Sequence, residues 1–375
     1  MNTSFTQHTG YYEAALGKVS AGRAATGRIA ILLSTWNGER HLIPLLESII
    51  AQSWTQWDLW VRDDGSTDGT IRLLEQFSQR MSSAEMHDRG NRLYLSRGKN
   101  MGVVKSFFNL LEQADDDYIG YAFCDQDDRW LPDKLERAAE GLAFHAFQAV
   151  SPDGSRAPST PFLYHGRQWL ADEERGKMKL SPLPVKVGFP NALIQNQVVG
   201  CTMVINPAMR SCILNCILEP AGSDALSSII LHDWWCYLIA SGTGTIQFDP
   251  DPVIIFRRHE QSSTPAASAP HRSILRRMTA IRNRGWTVSH ILDQAEVFAR
   301  CHAQLRGVGG TQDSERLPGT PCILTREKER QLQDLLDLRN AGFFKRLRYL
   351  FSGGHERASR LDTLLFRLFV LFCRY

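Results

Sequence analysis

The sequence predicts an α/β protein built on a doubly wound, mostly parallel sheet. Three observations carry that prediction. Short apolar runs of strand length recur through the first third of the chain, each closes on a polar turn, and each turn leads into apolar residues at helical spacing. The chain, 375 residues long, has room for one large domain of this kind with appendages.

Arg28 to Ser34 (RIAILLS) is continuously apolar with β-branched members, as in a strand covered on both faces. Thr35-Trp36-Asn37-Gly38-Glu39 makes the turn, and His41 to Ser53 then sets Leu42, Leu45, Leu46, Ile49 and Ile50 along one helical face. Leu59-Trp60-Val61 is a second strand ending in a turn rich in carboxylate and glycine, Asp63 to Gly69, with a helix from Thr70 to Phe77. Arg92 to Ser96 is a third, followed by the turn Arg97 to Gly102 and a helix from Val103 to Ala114. The fourth run, Tyr118 to Phe123, enters Cys124-Asp125-Gln126-Asp127-Asp128-Arg129-Trp130, and a helix begins after Pro132. No GxGxxG follows the first strand, which argues against a dinucleotide site.

Turns that follow parallel strands share one edge of the sheet, where ligands of open α/β folds collect. Thr35 to Glu39, Asp63 to Asp68 and Asp125 to Asp128 are therefore expected side by side. Clustered carboxylates there are hard oxygen ligands suited to Mg²⁺ or Mn²⁺. Read blandly, Asp127, Asp128 and Asp133 are solvated turn and helix-start residues, and the motif alone leaves both readings open.

Beyond the helix carrying Leu135, Leu142 and Phe144, Ser151 to Thr160 is a Pro/Ser/Gly loop and Phe162 to Tyr164 a further strand. Gln195 to Ile205 joins polar amides to a β-rich run; its Gly200 marks either a close approach of ligand to backbone or a bulge. In Leu231 to Leu238, Asp233 is either a helix-start charge or a functional carboxylate, and Trp234 and Trp235 offer indole faces of the kind on which sugars stack. Thr245 to Phe248 and Val253 to Phe256 read as a strand pair closing on Arg257-Arg258-His259-Glu260.

The net charge of +3 is too small to imply nucleic acid, and no apolar run reaches membrane-span length. Eight cysteines without CxxC spacing read as free buried thiols of a cytoplasmic enzyme. Residues 1–27 read as a loose leader without a secretory signal. Residues 264–375 form a basic, apolar, helical extension: a linker, a basic stretch from His271 to Arg284, a helix from Thr287 to Leu305, and a Gly-rich loop from Arg306 to Pro321. Its last part, residues 342–375, interleaves Phe and Leu with Arg and Lys, as in a helix lying on an anionic bilayer or a terminal helix packed on the core.

Five ordered landmarks, STWNGERHL, DDGSTDGT, FCDQDDRWLPDKL, HDWW and FRRHEQSS, resemble those of the family 2 glycosyltransferases, in particular the rhamnosyltransferase-like branch that builds bacterial surface polysaccharides such as O-antigen. The resemblance spans Ile29 to Ser263 and implies a GT-A fold over residues 28–263. It implies a nucleotide-sugar pocket of Thr35, Trp36, Glu39, Asp63, Asp64, Asn100 and Asp125, with Gly200, Cys201 and Thr202 beside the sugar. Trp234, Trp235, Arg257 and Arg258 join that set. Asp125 and Asp127 match a DxD motif, Asp127 being the favoured metal ligand and Asp128 lying behind it, while His259 matches a histidine brought to metal or diphosphate. Asp233 matches the catalytic base. The last landmark departs from the branch, with Arg258 in place of its usual Gln and Glu260 in place of Gly. The implied activity is inverting, metal-dependent transfer from dTDP-rhamnose to a glycan or lipid-linked glycan, at the cytoplasmic face of the inner membrane. A UDP-hexose donor, and a silent nucleotide-binding scaffold, are the alternatives.

Overall fold

A computed structural model describes residues 26–82, 90–150, 159–172, 176–218, 224–258, 288–308, 323–352 and 354–372. Its strands are β1 (Arg28–Thr35), β2 (Trp57–Asp63), β3 (Leu93–Arg97), β4 (Tyr118–Asp125), β5 (Arg129–Trp130), β6 (Phe162–Asp172), β7 (Lys177–Leu180), β8 (Val204–Ile205) and β9 (Thr245–Arg258). The helices flanking the first half are α1 (Glu39–Ile50), α2 (Thr70–Met81), α3 (Val103–Gln113) and α4 (Lys134–Gln148). Then come α5 (Phe189–Ala192), α6 (Pro207–Leu218), α7 (Asp224–Ser228) and α8 (His232–Thr243). The extension carries α9 (Val288–Val308), α10 (Arg326–Leu336), α11 (Phe343–Ser352) and α12 (Arg360–Phe372).

Among the described residues the strands form one mixed sheet in the order β3-β2-β1-β4-β8-β6-β9-β5, with β7 beside β6. The first four strands in that order run parallel, as the strand–turn–helix repeats require. Their register sets Thr35 opposite Asp63 and Ser34 opposite Asp125, which gathers three polar turns on one edge. Between β4 and β6, the short β8 runs antiparallel to both and merges the parallel half with the second half of the sheet. The parallel half is the doubly wound α/β layout expected from the sequence.

The unbroken apolar strands follow from burial on both faces. Ile29, Ile31 and Leu33 point into one hydrophobic cluster, while Ala30 and Leu32 point into the other. All five are fully enclosed, and burying each Leu or Ile side chain is worth about 1.5–3 kcal/mol. At the opposite end of these strands a buried Asp58 accepts hydrogen bonds from Arg28 Nε (2.9 Å), the Tyr118 hydroxyl (2.9 Å) and the Arg92 amide (2.7 Å). The edge away from the polar turns is thus pinned by charge.

Several elements differ from the sequence expectation. The anticipated strand pair after Gly244 is one strand, β9, which follows β6 in parallel and absorbs Asp249 to Pro252 through register shifts near Arg167. Pairing with β9 also lengthens the strand at Phe162 to eleven residues. Gln195 to Ile205 is mostly irregular, with a 3-10 turn at Gly200–Thr202 before β8. Cys212 is disulfide-bonded, against the expectation of thiols throughout, whereas Cys124, Cys201, Cys216, Cys236 and Cys301 are free and buried. The leader, the basic stretch and the two landmark residues His259 and Glu260 lie outside the described residues.

The extension is not a loose appendage. Leu332, Leu335, Tyr349, Phe366 and Val370 enter the same cluster as Trp234 and Trp235. Hydrogen bonds from Asn191 Nδ2 to the Glu356 carbonyl (2.8 Å) and from the Ala358 amide to Gln195 Oε1 (2.7 Å) strap it to the segment preceding Gly200.

Gly244, between α8 and β9, has its backbone pressed on Pro161: a Cβ there would lie 2.1 Å from the Pro161 carbonyl oxygen. Because that carbonyl also receives the Thr245 amide, the crowding cannot be relieved by a side-chain turn. Gly244→Ala is expected to cost about 1–3 kcal/mol in a urea unfolding titration, at an unchanged slope.

Candidate active site

The first wall of the site is made by the turns after β1 and β2. Asp63, 2% exposed, uses both oxygens within these turns: Oδ1 accepts from the Gly65 (3.1 Å) and Ser66 (2.9 Å) amides, Oδ2 from the Thr35 (3.0 Å) and Ser66 (2.6 Å) hydroxyls. Asp64 is also buried; its Oδ2 accepts from the Met101 (3.1 Å) and Gly102 (3.0 Å) amides, and Oδ1 faces Arg62 at 3.2 Å. Asn100 lies in that same loop and caps the Gly102 amide (3.1 Å). Glu39 starts α1, accepts the Gly69 amide (2.9 Å) and pairs with Arg72 (3.3 Å). Trp36 is different: its indole is 55% exposed, and its backbone is held at both ends by Gln126, whose Oε1 accepts the Trp36 N–H (2.9 Å) and whose Nε2 donates to the Trp36 carbonyl (2.9 Å).

The floor is the turn after β4. Asp125 ends the strand, Asp127 follows half-buried, and Asp128 is fully enclosed. Burial raises the Asp125 carboxyl to about 7, helped by the charges of Asp127 and Asp233. Burial likewise pushes Asp128 well up, with Asp125 and Asp127 adding to it. β5 pairs Arg129 with Ile255 and Trp130 with Ile254 of β9, which brings the end of β9 alongside the turn after β4. Arg257 in turn meets the His41 ring at 3.1 Å, bringing the last strand to the same edge.

Facing the floor is the Gly200–Thr202 turn with the start of α8. The Gly200 amide donates to Asp233 Oδ2 (3.0 Å), the Trp234 amide to Oδ1 (2.7 Å), and the Asn196 side chain also bonds to this carboxylate. Burial raises Asp233 to about 6, while those hydrogen bonds pull it down. Cys201 and Thr202 are buried beneath the turn. Trp234 and Trp235 are 2% and 0% exposed: the Trp234 Nε1 donates to the Ala192 carbonyl (2.6 Å), and Trp235 packs edge-on to Phe298. Their indoles fill the core, which leaves Trp36 as the exposed aromatic of the candidate set.

The sequence from residues 30 to 199 matches the family model for glycosyl transferase family 2. Over 271 residues the chain is 27% identical to the dTDP-rhamnosyl transferase RfbG of Shigella flexneri, covering 71% of this chain and 84% of that protein. Residues 30–199 of the chain are thus similar to glycosyl transferase family 2. Among solved structures the chain is similar to the S. aureus TarS 1-349 complex with UDP-GlcNAc (17% identity, TM-score 0.43, 92% of this chain and 90% of that one). A second solved structure is the Pyrobaculum calidifontis mannosyltransferase PcManGT with GDP-Man and Mn²⁺ (13% identity, TM-score 0.43, 96% and 91%).

Among the described residues, Asp125, Asp128 and Cys201 each bring a ligand atom within 4.8 Å of the others. Both oxygens of Asp128 are buried without a hydrogen bond of ordinary geometry, as a carboxylate awaiting a cation would be. Burial holds the Cys201 thiol protonated, so the usable donors are hard carboxylate oxygens, which suit Mg²⁺ or Mn²⁺. Asp127, the ligand favoured from the motif, lies beside this group rather than within it. Sequence reasoning passed over Gln126, Asn196 and Lys134. The first two carry no signal beyond polarity; Lys134 carried one, a cation at the start of a helix, where its sign is wrong for the helix dipole.

Asp63 is the hub of the first wall. Asp63→Ala is expected to lower stability by roughly 1.5–3 kcal/mol in chemical denaturation, since two amides and two hydroxyls lose a charged acceptor.

Proposed function

We propose that the chain is an inverting, metal-dependent glycosyltransferase that moves L-rhamnose from dTDP-rhamnose onto a glycan or lipid-linked glycan acceptor in bacterial surface-polysaccharide synthesis. The observation that carries this reading is the placement of Asp233. It stands near enough to Asp125 for its charge to be felt there, yet it is held on a separate element by its own three hydrogen-bond donors. Two carboxylate centres with different supports divide the work of the reaction: one manages the leaving diphosphate, the other the incoming hydroxyl.

Asp125 with Asp127 or Asp128 would hold a divalent cation, which would supply positive charge toward the departing nucleoside diphosphate. Trp36 offers its exposed face to the nucleotide base, with Thr35, Asp63, Asp64 and Asn100 shaping the turns around it. Arg257 adds charge at the same edge, and Arg258 and His259 follow it in the chain. Asp233, ionised above about pH 6, takes the proton of the acceptor hydroxyl as that oxygen attacks the anomeric carbon from the opposite face. The carbon–oxygen bond to diphosphate breaks as the new glycosidic bond forms, so the anomeric centre inverts. The rhamnosyl assignment is supported by the name of the RfbG relative, at 27% identity.

The tail fits an anionic membrane surface. Phe344 and Phe351 of α11 are 83% and 79% exposed and share a helix face with Arg348, while Phe372 of α12 is 73% exposed. No described helix is long and apolar enough to cross a membrane.

A panel of dTDP-, UDP- and GDP-sugars with Mn²⁺ is expected to give its largest thermal stabilisation with dTDP-rhamnose. Asp233→Asn should keep that stabilisation and lose transfer, and wild-type kcat/KM should fall as pH drops below about 6, because the base is then protonated. Full transfer by the Asn variant would remove Asp233 from the chemistry; stabilisation by a UDP-sugar alone would replace the donor. For the membrane, deleting 342–375 would strip Tyr349, Phe366 and Val370 from the core, so point variants serve better. Phe344→Glu with Phe351→Glu should abolish flotation with phosphatidylglycerol-rich vesicles, and equal flotation would retire the bilayer reading.

A further inference from the structure

Lys134 is fully buried at the first position of α4. Enclosing an ammonium costs several kcal/mol unless nearby groups compensate, and a cation at a helix N-terminus opposes the dipole. Neither packing nor helix stability therefore accounts for a lysine here. Its surroundings do. The Nζ donates to the Cys201 carbonyl at 2.7 Å and sits 3.2 Å over the centre of the Trp130 ring, and the charges of Asp125 and Asp128 act on it.

The carbonyl it grips belongs to the turn that holds the proposed base. That turn is closed by the Thr202 amide to the Val199 carbonyl (3.0 Å) and by the Met203 amide to the Gly200 carbonyl (2.9 Å), and its Gly200 amide binds Asp233. Gly200 is also wedged against α8: a Cβ on it would lie 2.5 Å from His232 Nε2 and 3.4 Å from the Asp233 Cβ. His232 cannot yield easily, being buried with its ring tilted against Phe107 (4.2 Å) and stacked on Phe123 (5.4 Å). The turn and the start of α8 therefore move together.

We infer that Lys134 is a positioning residue, tying Trp130 and the start of α4, just past the carboxylate turn after β4, to the Gly200–Thr202 turn and so setting the span between Asp125 and Asp233. Its structural half stands alone; its functional half rests on Asp233 being the base. The lysine acts through the Cys201 carbonyl and the Gly200 amide, without touching the acceptor. A displacement near 1 Å at a reacting group costs on the order of a hundredfold in rate, so a single interior tie of this kind has leverage on turnover.

Amide hydrogen exchange on the full chain, without ligand, tests the tie directly. Lys134→Met, which keeps the apolar stem, should speed exchange at Gly200, Thr202 and Met203 by roughly tenfold or more while β1 and β2 keep their rates. Lys134→Arg, retaining a cation for the carbonyl, should restore most of the protection. Lys134→Gln is the second neutral variant, should the methionine one not fold. Unchanged exchange at the turn, or faster exchange spread evenly over the sheet, would overturn the tie. With the best nucleotide sugar from the panel, the neutral variant should lose at least roughly tenfold in kcat with donor KM within about twofold. Fast local exchange with undiminished kcat would overturn the positioning role. If Asp233→Asn stays active, the base assignment fails while the exchange result still judges the tie.

Discussion

Like charge gathered in a poorly solvated space is the constraint on which the rest of this structure depends. Asp125, Asp127 and Asp128 from one turn meet Asp233 from the start of α8; burial lifts Asp125, Asp128 and Asp233 above ordinary carboxylate values, and repulsion from neighbouring carboxylates adds to it at Asp125 and Asp128. Such an arrangement persists only if the scaffold around it is stiff. The parallel core supplies that stiffness, with β1 enclosed on both faces and the far strand ends locked on Asp58. Strain of this kind concentrates at functional sites, where stability is exchanged for chemistry.

The parallel half was legible because its signals are local. Each strand–turn–helix unit announces itself in apolar periodicity, and β1, β2, β3 and β4 fall within a residue or two of the runs seen in the sequence. Parallel order then forces the turns together, so the meeting of Thr35, Asp63 and Asp125 needed no tertiary information beyond handedness. The second half was less legible because its strands owe their length to partners. β6 extends well past Tyr164 only because β9 runs alongside it, and β9 crosses two prolines only because shifts of register near Arg167 take up the slack.

Residue type misled most where burial reverses its meaning. Trp234 and Trp235 look like a sugar platform beside an aspartate, yet α8 is buried nearly all round and both indoles are core. Lys134 looks like a solvent-facing helix residue and is enclosed. Asp63 uses both oxygens as acceptors within the turns after β1 and β2, a structural duty its place in the motif did not announce. In each case composition indicates what a side chain can do, while the third dimension decides whether it faces ligand or protein.

The reciprocal amide clamp between Gln126 and Trp36 has a bearing on recognition. It joins the turn after β4 to the turn after β1 through one planar side chain, so the backbone that carries the outward-facing indole is held on both sides. Backbone entropy that a loose turn would surrender at encounter has here been surrendered during folding. On the proposed reading, the turn offered to the base and the turn offered to the cation are thereby tied together, so the distance between them is set by the protein and not by its guest.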